Sequence, residues 1–280
     1  MDELQSSEAG QSLCLADYIA LAPAAALSAT LDHPDVPQVG HPLPELWHWL
    51  YFWPVAKSSE LGADGHPRKG NFLPDLGLPR RMWAGGRLHF HSLLEIGKPA
   101  SRKSTILNVE EKSGRSGRLG FVTIKHELMN QKGLVIEEEQ DIVYREAYTP
   151  GARAPEPAAA PTDETWQREI TPTEVMLFRY SALTFNGHRI HYDKAYATRE
   201  EGYSDLVVHG PLIATLLVDL VRRELPLATI KQFSFKAVRP TLLGHSFMVC
   251  GAPTADGRTI ELWAKDHEGW LTMSAQAIVA

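Results

Sequence analysis

The stretch that decides the fold runs from His209 to Val238, HGPLIATLLVDLVRRELPLATIKQFSFKAV. Leu212, Leu216, Leu217, Leu220 and Val221 fall at helical spacing, and Pro211 suits a first helical turn, where its missing N–H has no acceptor to serve. The spacing predicts a long buried helix over residues 212–225. Four segments rich in β-branched and aromatic residues follow, at about Ile230–Val238, Phe247–Gly251, Arg258–Lys265 and Trp270–Val279. Asp256-Gly257 and His267-Glu268-Gly269 supply hairpin chemistry between them. Ahead of the helix, Glu174–Tyr180 reads as a strand, then comes a polar, histidine-rich loop through Asp193 and a short helix at about Lys194–Glu201. Strand, long helix and antiparallel meander describe a sheet that wraps around one helix.

That element order is the order of a hot-dog fold. Working outward, the composition breaks at Ala147–Thr165 (AYTPGARAPEPAAAPTDET), where Pro, Ala and Gly replace any apolar period, as in an extended linker. The chain is therefore expected to divide into an N-terminal domain over residues 1–146, a linker over 147–165 and a C-terminal domain over 166–280. In the N-terminal part the apolar, Trp-rich segment Leu46–Trp53 is the counterpart of the central helix. Strand-like runs follow at Arg87–Phe90, Ser104–Glu111, Gly120–Met129 and Leu134–Tyr144. The order repeats, which predicts an α+β double hot dog, two antiparallel sheets each wrapped around a long central helix. Pro74–Gly86, with Arg80-Arg81 and Gly85-Gly86, reads as an irregular loop, and the Ala-rich run Ala24–Ala29 as helix or linker.

A chain of 280 residues with 44% hydrophobic and 22% charged residues suits two globular domains. Its net charge of −6 offers no overall basic balance for a nucleic-acid backbone. Cys14 and Cys250 alone exclude a disulfide framework and fit a reducing compartment. Asp2, Glu3 and Glu8 argue against a basic leader, and no apolar run reaches membrane-spanning length. A cytoplasmic protein that partners neither nucleic acid nor membrane is expected.

The chemistry concentrates in Phe178–Ala197, FRYSALTFNGHRIHYDKAYA, and in Val208-His209-Gly210-Pro211. These residues resemble the R-specific enoyl-CoA hydratases, the MaoC-like group. That group carries Gly-Asp-x-Asn-Pro-aliphatic-His, a small residue six positions on, and a His-Gly pair at the start of the central helix. The aligned residues here are Phe185, Asn186, Gly187, His188, Arg189, Ile190 and His191, with Ala197 as the small residue and His209-Gly210 as the pair. Three departures stand out: Asn186 replaces the catalytic Asp, His188 the Asn and Arg189 the Pro, so a carboxylate base is missing. A subgroup is similar in this respect. It includes mesaconyl-CoA and itaconyl-CoA hydratases and mitochondrial type 2 hydroxyacyl-thioester dehydratases, pairs a catalytic module with a degenerate N-terminal hot dog, and carries Thr-Phe-Asn-x-His-Arg-Ile-His-Tyr, here Thr184–Tyr192.

The resemblance implies hydration of an α,β-unsaturated coenzyme A thioester. That reaction needs a base for water, a proton for the α-carbon and positive partial charge beside the thioester oxygen. An imidazole such as that of His191 can titrate near neutral pH, so it can serve the first two needs. Asn186 cannot be a base, but its amide can orient water or the imidazole. The Gly210 N–H at a helix N-terminus can meet the developing oxyanion. His188 and His209 are expected to line the substrate site. Arg189 either holds a substrate carboxylate through its planar fork, which suits a short dicarboxylic acyl group, or caps a loop carbonyl or pairs with Glu174 or Asp193. Arg80, Arg81 and Arg179 are alternative clamps.

His188, His191 and Asp193 lack well-spaced company for a metal, and none is expected. His89 and His91, two apart in a strand, share a face and read as packing or solvent-exposed residues. No cofactor is implied beyond the coenzyme A of the substrate, and a homodimer is compatible with the fold. Competing functions are dehydration of 3-hydroxyacyl thioesters in fatty-acid synthesis, non-catalytic acyl-CoA binding, and thioester hydrolysis, since this fold hosts several activities.

Overall fold

Alternating apolar and polar side chains fold ten strands into one antiparallel sheet in the computed structural model, which describes residues 9–114, 117–151 and 156–280. The acidic residues Asp2, Glu3 and Glu8, and residues 152–155 of the Pro- and Ala-rich stretch, lie outside the described residues. In the N-terminal half the elements are β1 (Ser12–Tyr18), α1 (Leu21–Thr30), β2 (Arg80–Phe90), β3 (Pro99–Gly114), β4 (Gly117–Asn130) and β5 (Gly133–Arg145). The C-terminal half has β6 (Trp166–Ile170), α2 (Glu174–Leu183), α3 (Lys194–Arg199), α4 (Gly210–Glu224), β7 (Ile230–Ala237), β8 (Phe247–Pro253), β9 (Thr259–Lys265) and β10 (Leu271–Val279). Among the described residues, no helix is long and apolar enough to cross a membrane.

The strand order is β1-β3-β4-β5-β2-β7-β10-β9-β8-β6. Read outward from the middle, each half has the same order, so the repeat inferred from element sequence is a repeat in space. The join is the antiparallel pair β2 and β7, from Gly85 opposite Lys236 to His89 opposite Gln232. Gly85 and Gly86 belong to this join rather than to a loop. A Cβ on Gly85 would lie 2.6 Å from the Phe235 carbonyl oxygen, too close for any side chain. The expected irregular stretch, Pro74–Gly86, therefore ends at Pro79, and both arginines stand on β2.

Helix α4 is the long buried helix, packed on β6, β8, β9 and β10. Leu212, Leu216, Leu217, Leu220 and Val221 are all buried in the core; each stabilises the fold by roughly 1.5–3 kcal/mol relative to exposure, as an upper estimate. Both hairpin expectations hold, with Gly257 at φ 67° and Gly269 at φ 86° in the turns.

Two expectations are corrected. Residues 174–183 are helix α2, not a strand: Thr173 caps the N-terminus by accepting a hydrogen bond from the Met176 N–H at 3.1 Å, and Glu174 sits favourably in the first turn. The first strand of that half is β6. The second correction concerns the segment from Leu46 to Trp53, which forms a single 3-10 turn (Trp47–Leu50) instead of a long helix. Left-handed backbone at Leu46 (φ 68°) and Phe52 (φ 58°) brackets it, and neither residue can extend a right-handed helix from there. A long central helix is thus present in the C-terminal half alone among the described residues.

The turn is held by side chains. Glu138 on β5, 3% exposed, accepts hydrogen bonds from His48 Nε2 at 3.0 Å and Trp49 Nε1 at 3.1 Å. The Trp49 ring packs edge-on against Trp83, with centroids 4.9 Å apart, and reaches Phe235 across the join.

Candidate active site

The histidine-rich loop, the candidate catalytic loop, leaves α2 through Phe185, whose left-handed φ of 50° reverses the chain. Asn186 then closes a tight turn, its Oδ1 accepting the His188 N–H at 3.0 Å. One 3-10 turn (Arg189–His191) brings His191 inward, and Asp193 ends the loop by capping α3 through the Tyr196 N–H.

His191 is 7% exposed and its Nδ1 lies 2.7 Å from the Val207 carbonyl oxygen. A carbonyl can only accept, so the proton is on Nδ1 and Nε2 keeps its lone pair. Nε2 has no protein partner among the described residues and is not among the polar atoms sealed from solvent. Burial pushes the imidazole down to about 4, opposed by the bond to Val207, so it is neutral at physiological pH.

The His209 ring stacks on His191 with centroids 3.6 Å apart and planes inclined by 17°. Its Nε2 is tied to the Ser181 hydroxyl at 2.8 Å, and burial followed by the neighbouring imidazoles holds its pKa far below 6.5. His209 is the N-cap of α4 without a side-chain cap bond, so the Gly210 N–H at the helix start is one of the donors that no helical carbonyl can satisfy. A Cβ on Gly210 would meet nothing closer than the Met273 methyl at 4.0 Å, so the backbone here is openly approachable. The structure thus brings together His191, His209 and Gly210, with His188 at 5.6 Å from His191 between ring centroids.

Arg189 does not join them. Its Nε and Nη2 donate to Asp193 Oδ2 at 3.0 and 2.7 Å, its Nη1 donates to the Ala63 carbonyl oxygen at 3.0 Å, and its guanidinium lies over the Tyr196 ring. Of the two readings of this residue, pairing with Asp193 and a loop carbonyl is the one the structure contains. Arg189→Ala is accordingly expected to leave the ratio of rates on carboxylated and uncarboxylated enoyl thioesters unchanged; a selective loss on the carboxylated one would return the recognition role to it.

Residues that sequence reasoning missed come from the N-terminal half. The segment from Leu61 to Pro67, closed by a β-bridge between those two residues, lies on the catalytic loop. The Asp64 carbonyl oxygen accepts the Arg189 N–H at 2.9 Å. Gly65, at φ 87°, approaches so closely that a Cβ would lie 2.0 Å from the Gly187 carbonyl oxygen. The His66 ring packs on His188 with centroids 4.5 Å apart, and Trp53 stacks on Phe185 at 5.1 Å. Asp64-Gly65 was legible as a turn; its partner, more than 120 residues away, was not.

Ligand atoms of Asp64, His66 and His188 all lie within 4.8 Å of one another, a spacing that could hold a metal ion. Against a cation stands Arg81, whose Nε is 3.6 Å from Asp64 Oδ2 and whose side chain is 8% exposed. His89 and His91 take no part; His91 pairs with Glu137 at the surface.

The buried imidazoles make stability depend on pH. Burial pushes His191 down to about 4; His126 also falls to about 4, chiefly through burial, with Glu138 opposing and Arg102 assisting the shift. As pH falls through the unfolded value of 6.5, the unfolded chain takes up protons that these folded-state rings refuse. Their contribution is complete above that value and is lost progressively towards pH 4. The denaturant midpoint is expected to fall steadily between pH 7 and 4.5; a flat profile across that window would contradict the burial of neutral imidazoles.

Comparison with known proteins gives a family and a fold. The family model described as hydroxyacyl-thioester dehydratase type 2 matches residues 46–243. A mesaconyl-C(4)-CoA hydratase from Chloroflexus aurantiacus is 48% identical over 263 residues, covering 92% of each chain. The mitochondrial hydroxyacyl-thioester dehydratase type 2 of Schizosaccharomyces pombe is 28% identical over 238 residues, 75% of this chain and 78% of that one. Among solved structures, a MaoC-like dehydratase from Phytophthora capsici superposes with a TM-score of 0.70 at 12% identity, covering 97% of this chain and 95% of the other.

Proposed function

We propose that this chain, which belongs to the hydroxyacyl-thioester dehydratase type 2 family, adds water reversibly across the double bond of a short enoyl-CoA whose acyl group carries a second carboxylate, of the mesaconyl-CoA or itaconyl-CoA type. Membership makes it a lyase of the hydratase and dehydratase kind. The observation that carries the mechanism is the His191 ring, fixed by Val207 with Nε2 unpaired, stacked on the residue that precedes the free N–H of α4.

In the proposed reaction Nε2 takes a proton from water as the oxygen bonds to the β-carbon. The π electrons move to the thioester oxygen, which the Gly210 N–H meets. The imidazolium then returns its proton to the α-carbon, restoring the carbonyl and the neutral ring. Dehydration is the same path reversed. Asn186 keeps the loop in shape by its bond to the His188 N–H, and the amide nitrogen is left to orient water. No cofactor enters beyond the coenzyme A of the substrate.

The dicarboxylic acyl group is supported by the relative at 48% identity. A short acyl group is supported by the bulky indoles of the Trp47–Leu50 turn, one of which packs on Trp83 and Phe235 at the join between the halves. Purified protein incubated with mesaconyl-C4-CoA, itaconyl-CoA and crotonyl-CoA, with enoyl absorbance and free thiol followed together, tests the reading. Alkene loss without thiol release, fastest on a carboxylated substrate, is expected. Thiol release would indicate hydrolysis, and saturable binding with neither signal would indicate a binding protein; either would overturn it.

A further inference from the structure

In a methylfumaryl group joined to coenzyme A through its C4 carboxyl, the carbon that water attacks itself bears the free carboxylate. That carboxylate is one bond of ~1.5 Å from the reacting carbon, and the water must lie within about 3 Å of both that carbon and the base, so the carboxylate has to be bound within roughly 4–7 Å of His191 Nε2. Recognition at this distance cannot come from Arg189, which is spent on Asp193 and Ala63. What lies there instead is the His188 ring, with the His66 ring beyond it.

Several features of this corner suit an anion. His188 is only 8% exposed, yet neither of its ring nitrogens has a hydrogen-bonding partner among the described residues, and the same holds for His66; none of these four atoms is sealed from solvent. Arg81 is nearly buried. Its Nη2 donates to the Pro67 carbonyl oxygen at 2.7 Å, and its Nε stands 3.6 Å from Asp64, beyond hydrogen-bond distance. Most of the five N–H donors of that guanidinium are therefore unpaired among the described residues, and like the ring nitrogens none of them is sealed from solvent, so they are open to a ligand. Its charge is also felt by both rings, where it assists burial in keeping them neutral.

We propose that Arg81, His66 and His188 form the subsite for the substrate's free carboxylate, so that the N-terminal half supplies the specificity of a reaction carried out by residues of the C-terminal half. Arg81 provides the charge and a planar fork, and the two rings provide N–H donors beside it. Asp64 shapes the turn that carries His66: its carboxylate accepts the His66 backbone N–H at 3.1 Å and faces Arg81, while its carbonyl oxygen docks the segment on Arg189. This assignment rests on the carboxylated substrate proposed above.

The test compares two substrates that differ at one group, mesaconyl-C4-CoA and 3-methylcrotonyl-CoA, in which a methyl replaces the carboxylate. The readout is the ratio of their kcat/KM values in the native protein, Arg81→Met, Arg81→Lys and His66→Phe. Arg81→Met is expected to lower that ratio by roughly 30-fold or more, the scale of a lost buried charge pair. Arg81→Lys should fall between, keeping the charge without the fork, and His66→Phe keeps the ring packing, so a reduced ratio there reads the subsite even if Arg81→Met fails to fold. An equal loss on both substrates would make Arg81 purely structural and overturn the assignment. Loss of activity with a chelator and its recovery with zinc would give the Asp64, His66 and His188 atoms to a metal instead. A native protein that does not favour the carboxylated substrate would remove the functional reading itself, an outcome distinct from failure of the subsite.

Discussion

His191→Asn is expected to lower turnover at least about 100-fold while the protein remains folded, the scale of a lost general acid and base. Asparagine is the informative replacement because its amide N–H can take over the donation that Nδ1 makes to the Val207 carbonyl oxygen. It offers nothing in the place of Nε2. Alanine would lose both and would also leave a cavity beside His209, with which the ring is stacked. A fall in rate with Asn therefore separates proton transfer from packing. The pH profile adds a second reading: the ring must be neutral to accept a proton, and burial pushes it down to about 4, so kcat/KM in the native protein should fall on the acid side with an apparent pKa near that value and be level above about pH 5. The Asn variant should lack that limb. Near-normal turnover in His191→Asn would falsify the assignment of the base.

The C-terminal half was legible because its signals are local. Helix α4 shows in the spacing of five apolar residues, the strands after it in β-branched alternation, and the turns in Asp256-Gly257 and Gly269. The motif led to the expectation that His191 and the start of α4 meet, and the stacking of His191 on His209 shows that they lie together. Where the reading failed, a competing interaction decided. Val175, Phe178 and Tyr180 favour a strand by composition, yet the Thr173 cap commits the segment to a helix. The indoles and leucines from Leu46 to Trp53 have helical content without helical continuity, because two left-handed residues confine them to one turn. The role of residues 61–67 was invisible for a different reason. An Asp-Gly turn announces its own shape, but its docking on Gly187 and Arg189 depends on the sheet having closed first.

The two halves share a strand order. Where the C-terminal half has a long helix, the N-terminal half has a compact turn, followed by a long connection to β2. This connection carries Asp64, Gly65 and His66 onto the catalytic loop. The N-terminal half thus combines a short turn in the place of a second long helix with a connection that lies against the proposed site.

The turn requires a polar anchor, and Glu138→Leu is expected to lower the melting temperature by roughly 10 °C or more. The estimate follows from about 3–5 kcal/mol for leaving two buried N–H donors without their acceptor, at 2–4 °C per kcal/mol in a chain of this size. Burial opposes the charge on Glu138, but His48, the nearby His126 and Trp49 more than offset it and hold the carboxyl below its usual range. Leucine would leave the His48 and Trp49 N–H groups facing it without an acceptor, in a place where neither can reach water freely. The turn would then lose its attachment to β5, and the Trp49 contact with Trp83 and Phe235 across the join would loosen with it. Glu138→Gln, which keeps one acceptor and the shape, should recover part of the loss. If calorimetry found Glu138→Leu within about 2 °C of the native protein, the turn would be held by apolar packing alone. The N-terminal half would then need no buried charge to do without its helix.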